Sequence, residues 1–134
     1  MNIINKIGAV VIENNSFLVV RKKGKNIWTS LGGKPESGET EKETLRRETK
    51  EELNCDIKIL KKLLNLQDKA VFEDAQIQLT FYLGELIGNP EIIDNELEEY
   101  IFIESDYKSK NIKLSPSLEN QVIPFCLKKG LLKW

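Results

Sequence analysis

Histidine is absent from this sequence of 134 residues. That excludes mechanisms built on an imidazole base, a Ser-His or Cys-His pair, or a histidine metal ligand. Zinc sites become improbable for the same reason. The two cysteines, Cys55 and Cys126, show no metal or redox spacing, and a reducing, cytoplasmic setting is expected. Excess charge is also missing. Twenty basic against twenty-one acidic side chains give a net charge of −1, so nothing favours bulk nucleic acid or a membrane surface. Apolar runs such as AVVI and FLVV are far short of a membrane span, and MNIINKIGAV lacks the pattern of a signal peptide. Any metal here must be a hard cation held by oxygen.

What is present reads as one domain, residues 1–134. NKIGAVVIE and SFLVVRK are β-branched strands around an Asn14-Asn15 turn, a hairpin signal. IWTSL predicts one short strand leading into a Gly32-Gly33 turn. Residues 34–39 carry turn chemistry in Pro35, Ser37 and Gly38. Thr40 and Glu43 form a capping-box pattern, which predicts a helix from about Glu41 to Leu53, capped by Asn54. DIKILKKLLNL, AQIQLTFYLGEL and EEYIFIE read as further strands. Gly88-Asn89-Pro90 and the acidic loop EIIDNELE separate the last two. Ser115 and Pro116 open a C-terminal helix that Pro124 should kink or break. The fold class is α/β, a layered domain with a mixed sheet and two main helices.

The central helix raises a chemical question. At about 100° per residue, Leu45, Thr49 and Leu53 form a core-facing stripe, and Glu51, Glu48 and Glu52 gather at about 240°, 300° and 340°. Like charges at this spacing oppose a helix, and the last of them lie where its dipole disfavours anions. Arg47, at about 200°, flanks the arc within reach of Glu51, but the helix's own cations leave the arc uncompensated. A solvated charged face is the plain reading. The alternative is a cation: a glycine pair lets backbone approach a ligand closely, and an all-oxygen site suits Mg²⁺ or Mn²⁺ beside phosphate oxygens.

Gly33, five residues, Glu39, seven residues, then Arg47-Glu48-Thr49-Lys50-Glu51-Glu52 resembles the signature box of the Nudix hydrolases. Beyond the box, the strand order, GGK segment, acidic loop and final helix are similar to the MutT-like branch. The sequence departs from the usual pattern at Thr49, Asn54 and Cys55, and Leu31 replaces a frequent proline, but no metal-binding position is lost. Cys55 should act as a small buried hydrophobe. The resemblance implies a Nudix-type α/β/α sandwich and Mg²⁺-dependent hydrolysis of a nucleoside diphosphate linked to another group, with Mn²⁺ as an alternative ion.

Carried over by position, the resemblance puts Glu48, Glu51 and Glu52 on metal, with the Gly32 carbonyl as a backbone ligand and Arg47 orienting the cluster. Glu39 and Lys34 would brace the loop, and Lys34 is also a candidate for the substrate. Glu48 is the first choice of general base. Glu96 is the downstream carboxylate, as a metal ligand or the base, and Asp94 is next in line. Arg21 would contact phosphate and Trp28 would stack on a base, against surface and core roles respectively. DKAVFEDAQ lacks the markers of ADP-ribose or dinucleoside polyphosphate hydrolases. A (deoxy)nucleoside triphosphate is therefore the expected substrate, for a monomer or homodimer. Nucleotide sugars, ADP-ribose, dinucleoside polyphosphates and a non-catalytic nucleotide-sensing module stay open.

Overall fold

Asn14 and Asn15 both adopt positive φ, 50° and 60°, the backbone of a two-residue hairpin turn matched to strand twist. They join β2 (Ile12–Glu13) to β3 (Ser16–Lys22). The computed structural model describes residues 3–69, 74–93 and 95–134. Asp94 and most of the apolar centre of DKAVFEDAQ therefore lie outside the described residues.

The strands form two sheets rather than one. β1 (Ile3–Val10) pairs antiparallel with β5 (Leu31–Gly33) and parallel with β7 (Gln76–Ile87), which pairs antiparallel with β6 (Asp56–Lys69). In the second sheet β3 carries β2 and β4 (Ile27–Thr29) on one edge and β8 (Leu97–Ile103) on the other. β9 (Lys113–Leu114) lies parallel to β4. The chain changes sheet twice without a loop. It crosses at Val11, fully buried, between β1 and β2, and again at Ser30 between β4 and β5. The expected single strand IWTSL is thus divided, and Gly32-Gly33 is strand rather than turn. Gly32 has φ 138°, and a Cβ there would lie 2.0 Å from the Ile7 carbonyl oxygen. Only glycine permits that crossing.

Alternating side chains of β3 point to opposite cores. Leu18 and Val20 pack with Leu45 and Leu53 of α1 (Glu41–Leu53), while Phe17 and Val19 pack with Val122 and Cys126 of the C-terminal helix. This period of two gives the α/β/α layering. The α1 bounds match the sequence expectation. Thr40 accepts from the Glu43 N–H at 3.1 Å, Glu43 accepts from the Thr40 N–H at 2.9 Å, and Asn54 takes the left-handed cap at φ 51°. Thr49 is fully buried and satisfies its hydroxyl on the Leu45 carbonyl at 2.7 Å. Both cysteines are buried, and burial raises the pKa of each thiol, that of Cys126 to about 11. They remain protonated and inert.

The second helix runs through Pro124 without breaking. Residues 118–122 widen into a π turn, and the Ile123 N–H reaches back to the Leu118 carbonyl. Proline removes one N–H and crowds the carbonyl four residues earlier, and a wider turn accommodates both effects.

Because α1 carries the acidic arc, its start must be fixed. Thr40→Ala should lower stability by about 1 kcal/mol, seen as a lower denaturation midpoint at unchanged slope. Thr40→Ser should leave the midpoint nearly unchanged.

Candidate active site

A cleft of about 400 Å³ opens where the chain passes from β4 into β5. Thr29, Ser30, Gly32, Gly33 and Lys34 line it in succession. Three carboxylates line it, Glu48 and Glu52 from α1 and Glu96 from the end of the acidic loop. Five lysines also line the cleft: Lys6, Lys22, Lys25, Lys34 and Lys69.

Glycine brings the helix onto the strand. A Cβ on Gly33 would lie 2.4 Å from the Glu48 carboxyl carbon and 2.6 Å from either oxygen. The Glu48 carboxylate therefore occupies the volume of a missing side chain, and Glu48 is only 14% exposed. Glu52 is more buried still, at 3% exposure, and accepts from the Gly32 N–H at 3.1 Å. Burial raises the Glu48 pKa. Arg47 opposes this, while the charges of Glu51 and Glu96 add to it.

Arg47 organises the rest. Its guanidinium grips Glu39 in a two-pronged contact, Nε at 2.6 Å and Nη2 at 3.0 Å. Nη2 also donates to the Lys34 carbonyl at 2.9 Å. Nη1 reaches Glu48 at 2.9 Å and Glu51 at 3.3 Å. Glu39 further accepts from the Glu36 N–H and the Thr44 hydroxyl. Hydrogen bonds from Arg47, then from the Glu36 backbone, pull the Glu39 pKa down to about 2. The expectation of an arc left uncompensated by the helix's cations is thereby corrected. One arginine, projected at its margin, reaches two of the three glutamates because its side chain is long enough to span a helical turn.

The other candidates divide. Glu51 is 52% exposed and is not among the residues that line the cleft. Glu98, read as part of the acidic loop EIIDNELE, belongs to β8. Arg21 does not line the cleft. It binds Glu99 at 2.9 Å and the Lys25 carbonyl at 2.9 Å, with its guanidinium 5.5 Å from the centre of the Trp28 ring. Trp28 is 8% exposed and lies in the core of the C-terminal-helix side. Lys22, which sequence reasoning missed, lines the cleft instead. Between Arg21 and Lys22 the β3–β8 register skips Glu98. The same corner fixes Glu96 through the Lys23 N–H, 2.9 Å from the Glu96 carbonyl. Strand alternation alone was the available signal, since it places neighbours Arg21 and Lys22 on opposite faces.

The residues fit a divalent ion in kind. The donors are carboxylates and backbone carbonyls, the oxygen set that Mg²⁺ and Mn²⁺ prefer, and the buried Glu48 carboxylate gains from a nearby cation. Among the described residues, however, no three such groups already converge on one point. Glu48 and Glu51 are held by Arg47, and Glu52 by Gly32.

Fold and cleft define a class, a layered α/β/α domain whose glycine strand seats an acidic helix at a cleft lined by lysines. The NUDIX domain model matches residues 4–117, and the chain belongs to the Nudix family of hydrolases. Solved structures share the fold at low identity. A UDP-X diphosphatase superposes with TM-score 0.81 at 18% identity, covering 98% of this chain and 65% of the other. This chain thus spans just under two thirds of that protein. A NUDIX hydrolase from Nitrosomonas europaea gives TM-score 0.81 at 13% identity, covering 99% and 97%. The MutT protein from Methanosarcina mazei Go1 gives 0.77 at 16%, covering 95% of each chain. By sequence, no curated protein matches significantly.

Two outcomes test this geometry. Glu39 has a depressed pKa, so its stabilising contribution is complete above 4.5 and is lost as pH falls towards about 2. Glu39→Gln should therefore be less stable than the parent at neutral pH, and the two denaturation midpoints should converge over that acid window. Gly33→Ala should fold but displace Glu48, lowering kcat more than about tenfold, because small misplacement of a reacting group costs heavily.

Proposed function

We propose that this domain, residues 1–134, is a Mg²⁺-dependent pyrophosphohydrolase of the cytoplasm. Its favoured substrate is a (deoxy)nucleoside triphosphate, cleaved to monophosphate and pyrophosphate. The observation that carries the reading is one cleft lined by three carboxylates and five lysines, in a Nudix-family chain. Lysines neutralise a polyanion, and carboxylates recruit the cation that such a polyanion needs. The absence of a membrane-length apolar helix among the described residues is compatible with that setting.

Glu48, Glu51, Glu52 and Glu96, with the Gly32 carbonyl, would hold the metal. When bound, the metal supplies charge neutralisation of the diphosphate and a more acidic water. Lys22, Lys25 and Lys34 hold and orient the phosphate chain. Glu48 accepts the proton of the attacking water, a role suited to a carboxylate whose pKa burial has raised. Arg47 touches no substrate in this account. It positions Glu48 and Glu51 and ties them, through Glu39 and the Lys34 carbonyl, to the loop that follows β5. Glu96, at the end of the acidic loop, lines the same cleft and serves as a metal ligand or as the alternative base. Phosphoryl transfer depends mainly on positioning and electrostatics, and each role here is of that kind.

The experiment is a phosphate-release screen with Mg²⁺ over nucleoside triphosphates, nucleotide sugars, ADP-ribose and dinucleoside polyphosphates. A triphosphate should yield monophosphate and pyrophosphate; release of orthophosphate with a diphosphate left over would overturn the assignment. Glu52→Gln should remove most turnover while preserving the fold. Glu96→Gln should lower kcat more than about tenfold, whereas Glu98→Gln, a change of a solvated neighbour, should be nearly silent.

A further inference from the structure

Nothing in that account holds the corner of the cleft where β3, the turn after it and the start of β8 meet. Lys22, Lys25 and Glu96 all line the cleft there, on backbone that is irregular. The β3–β8 register skips Glu98 between Arg21 and Lys22, and such a bulge re-aims the side chains beside it. Past the bulge, Lys22 pairs with Leu97, and the Lys23 N–H donates to the Glu96 carbonyl at 2.9 Å. Arg21 spans the irregularity. Its Nη2 donates to Glu99 of β8 at 2.9 Å and its Nη1 to the Lys25 carbonyl at 2.9 Å. The guanidinium lies 5.5 Å from the centre of the Trp28 ring, a buried side chain and so a fixed surface for the cation. One planar group thus joins β8, the β3–β4 turn and β4, immediately beside the bulge.

We infer that Arg21 is a positioning residue: through Glu99 and the Lys25 carbonyl it sets where Glu96 and Lys25 stand in the cleft, without touching substrate. The inference rests on the roles given to Glu96 and Lys25 above. The fork matters, because an ammonium is a single point and cannot reproduce two donors held in one plane. Glu99 is 53% exposed, so solvent screens the ion pair and its loss costs little stability. A displaced Glu96 costs activity instead, because small misplacement of a reacting group is expensive.

The test compares the parent protein with Glu96→Gln, Arg21→Met, Arg21→Lys, Glu99→Gln and the double variant Arg21→Met/Glu96→Gln. Two quantities are measured: Mn²⁺ affinity by calorimetry without nucleotide, and the kinetics of dATP hydrolysis with Mg²⁺. Arg21→Met should lower whichever of Mn²⁺ affinity and kcat Glu96→Gln lowers, by about tenfold, at a denaturation midpoint close to the parent's. Arg21→Lys should not restore it, and Glu99→Gln should change it in the same direction. The double variant should be little worse than Glu96→Gln in that quantity, since an anchor adds little once the anchored group is gone. The rise in KM that comes through Lys25 should persist. Parent-like values in Arg21→Met, or a full additional loss in the double variant, would overturn the inference. A raised KM in Arg21→Met with Glu99→Gln at parent values would overturn it in favour of a direct phosphate contact. If Glu96→Gln changes neither quantity, the role of Glu96 has failed and the inference goes with it. If Mn²⁺ affinity follows the expected pattern while dATP is not hydrolysed, the inference stands and the choice of substrate has failed.

Discussion

The Arg47–Glu39 contact is the constraint on which the site depends. A two-pronged, charge-assisted pair fixes both distance and plane, and this one joins α1 to the loop that follows β5. Because the same guanidinium also reaches Glu48, Glu51 and the Lys34 carbonyl, the loop cannot shift without shifting the carboxylates. Solvent screening makes most surface ion pairs weak. Here the value lies in geometry: one cation determines where several anions can stand.

Glycine supplies the complementary condition. Gly32 crosses against Ile7 and Gly33 leaves room for the Glu48 carboxylate, so helix and strand approach more closely than side chains would permit. Burial then raises the Glu48 pKa while hydrogen bonds lower that of Glu39. Two glutamates nine positions apart thus acquire opposite proton affinities from their surroundings, which separates a structural carboxylate from one suited to chemistry.

Much of the local structure was legible in order of residues. Thr40, Glu43 and Asn54 specify the ends of α1 through short-range hydrogen bonds, and Asn14-Asn15 specify a hairpin through their tolerance of positive φ. The family box was legible because its chemistry requires fixed residue types at fixed helical spacing. Arg21 and Trp28 misled because type alone was used: an arginine and a tryptophan suit phosphate and base, but their register turns them towards Glu99 and the core.

By itself, then, the sequence determined the elements, their caps, the acidic face of α1 and the oxygen character of any metal site, all set by interactions within a few residues. Tertiary structure decided the rest. Whether IWTSL remains one strand or crosses between sheets at Ser30, whether Glu52 is buried, and whether Lys22 rather than Arg21 enters the cleft each depend on partners far along the chain. The same holds for Ser115 and Ser117, which line the cleft where the Ser115 N–H bonds to the Trp28 carbonyl. Burial and register arise from long-range pairing, and local propensity carries no record of them.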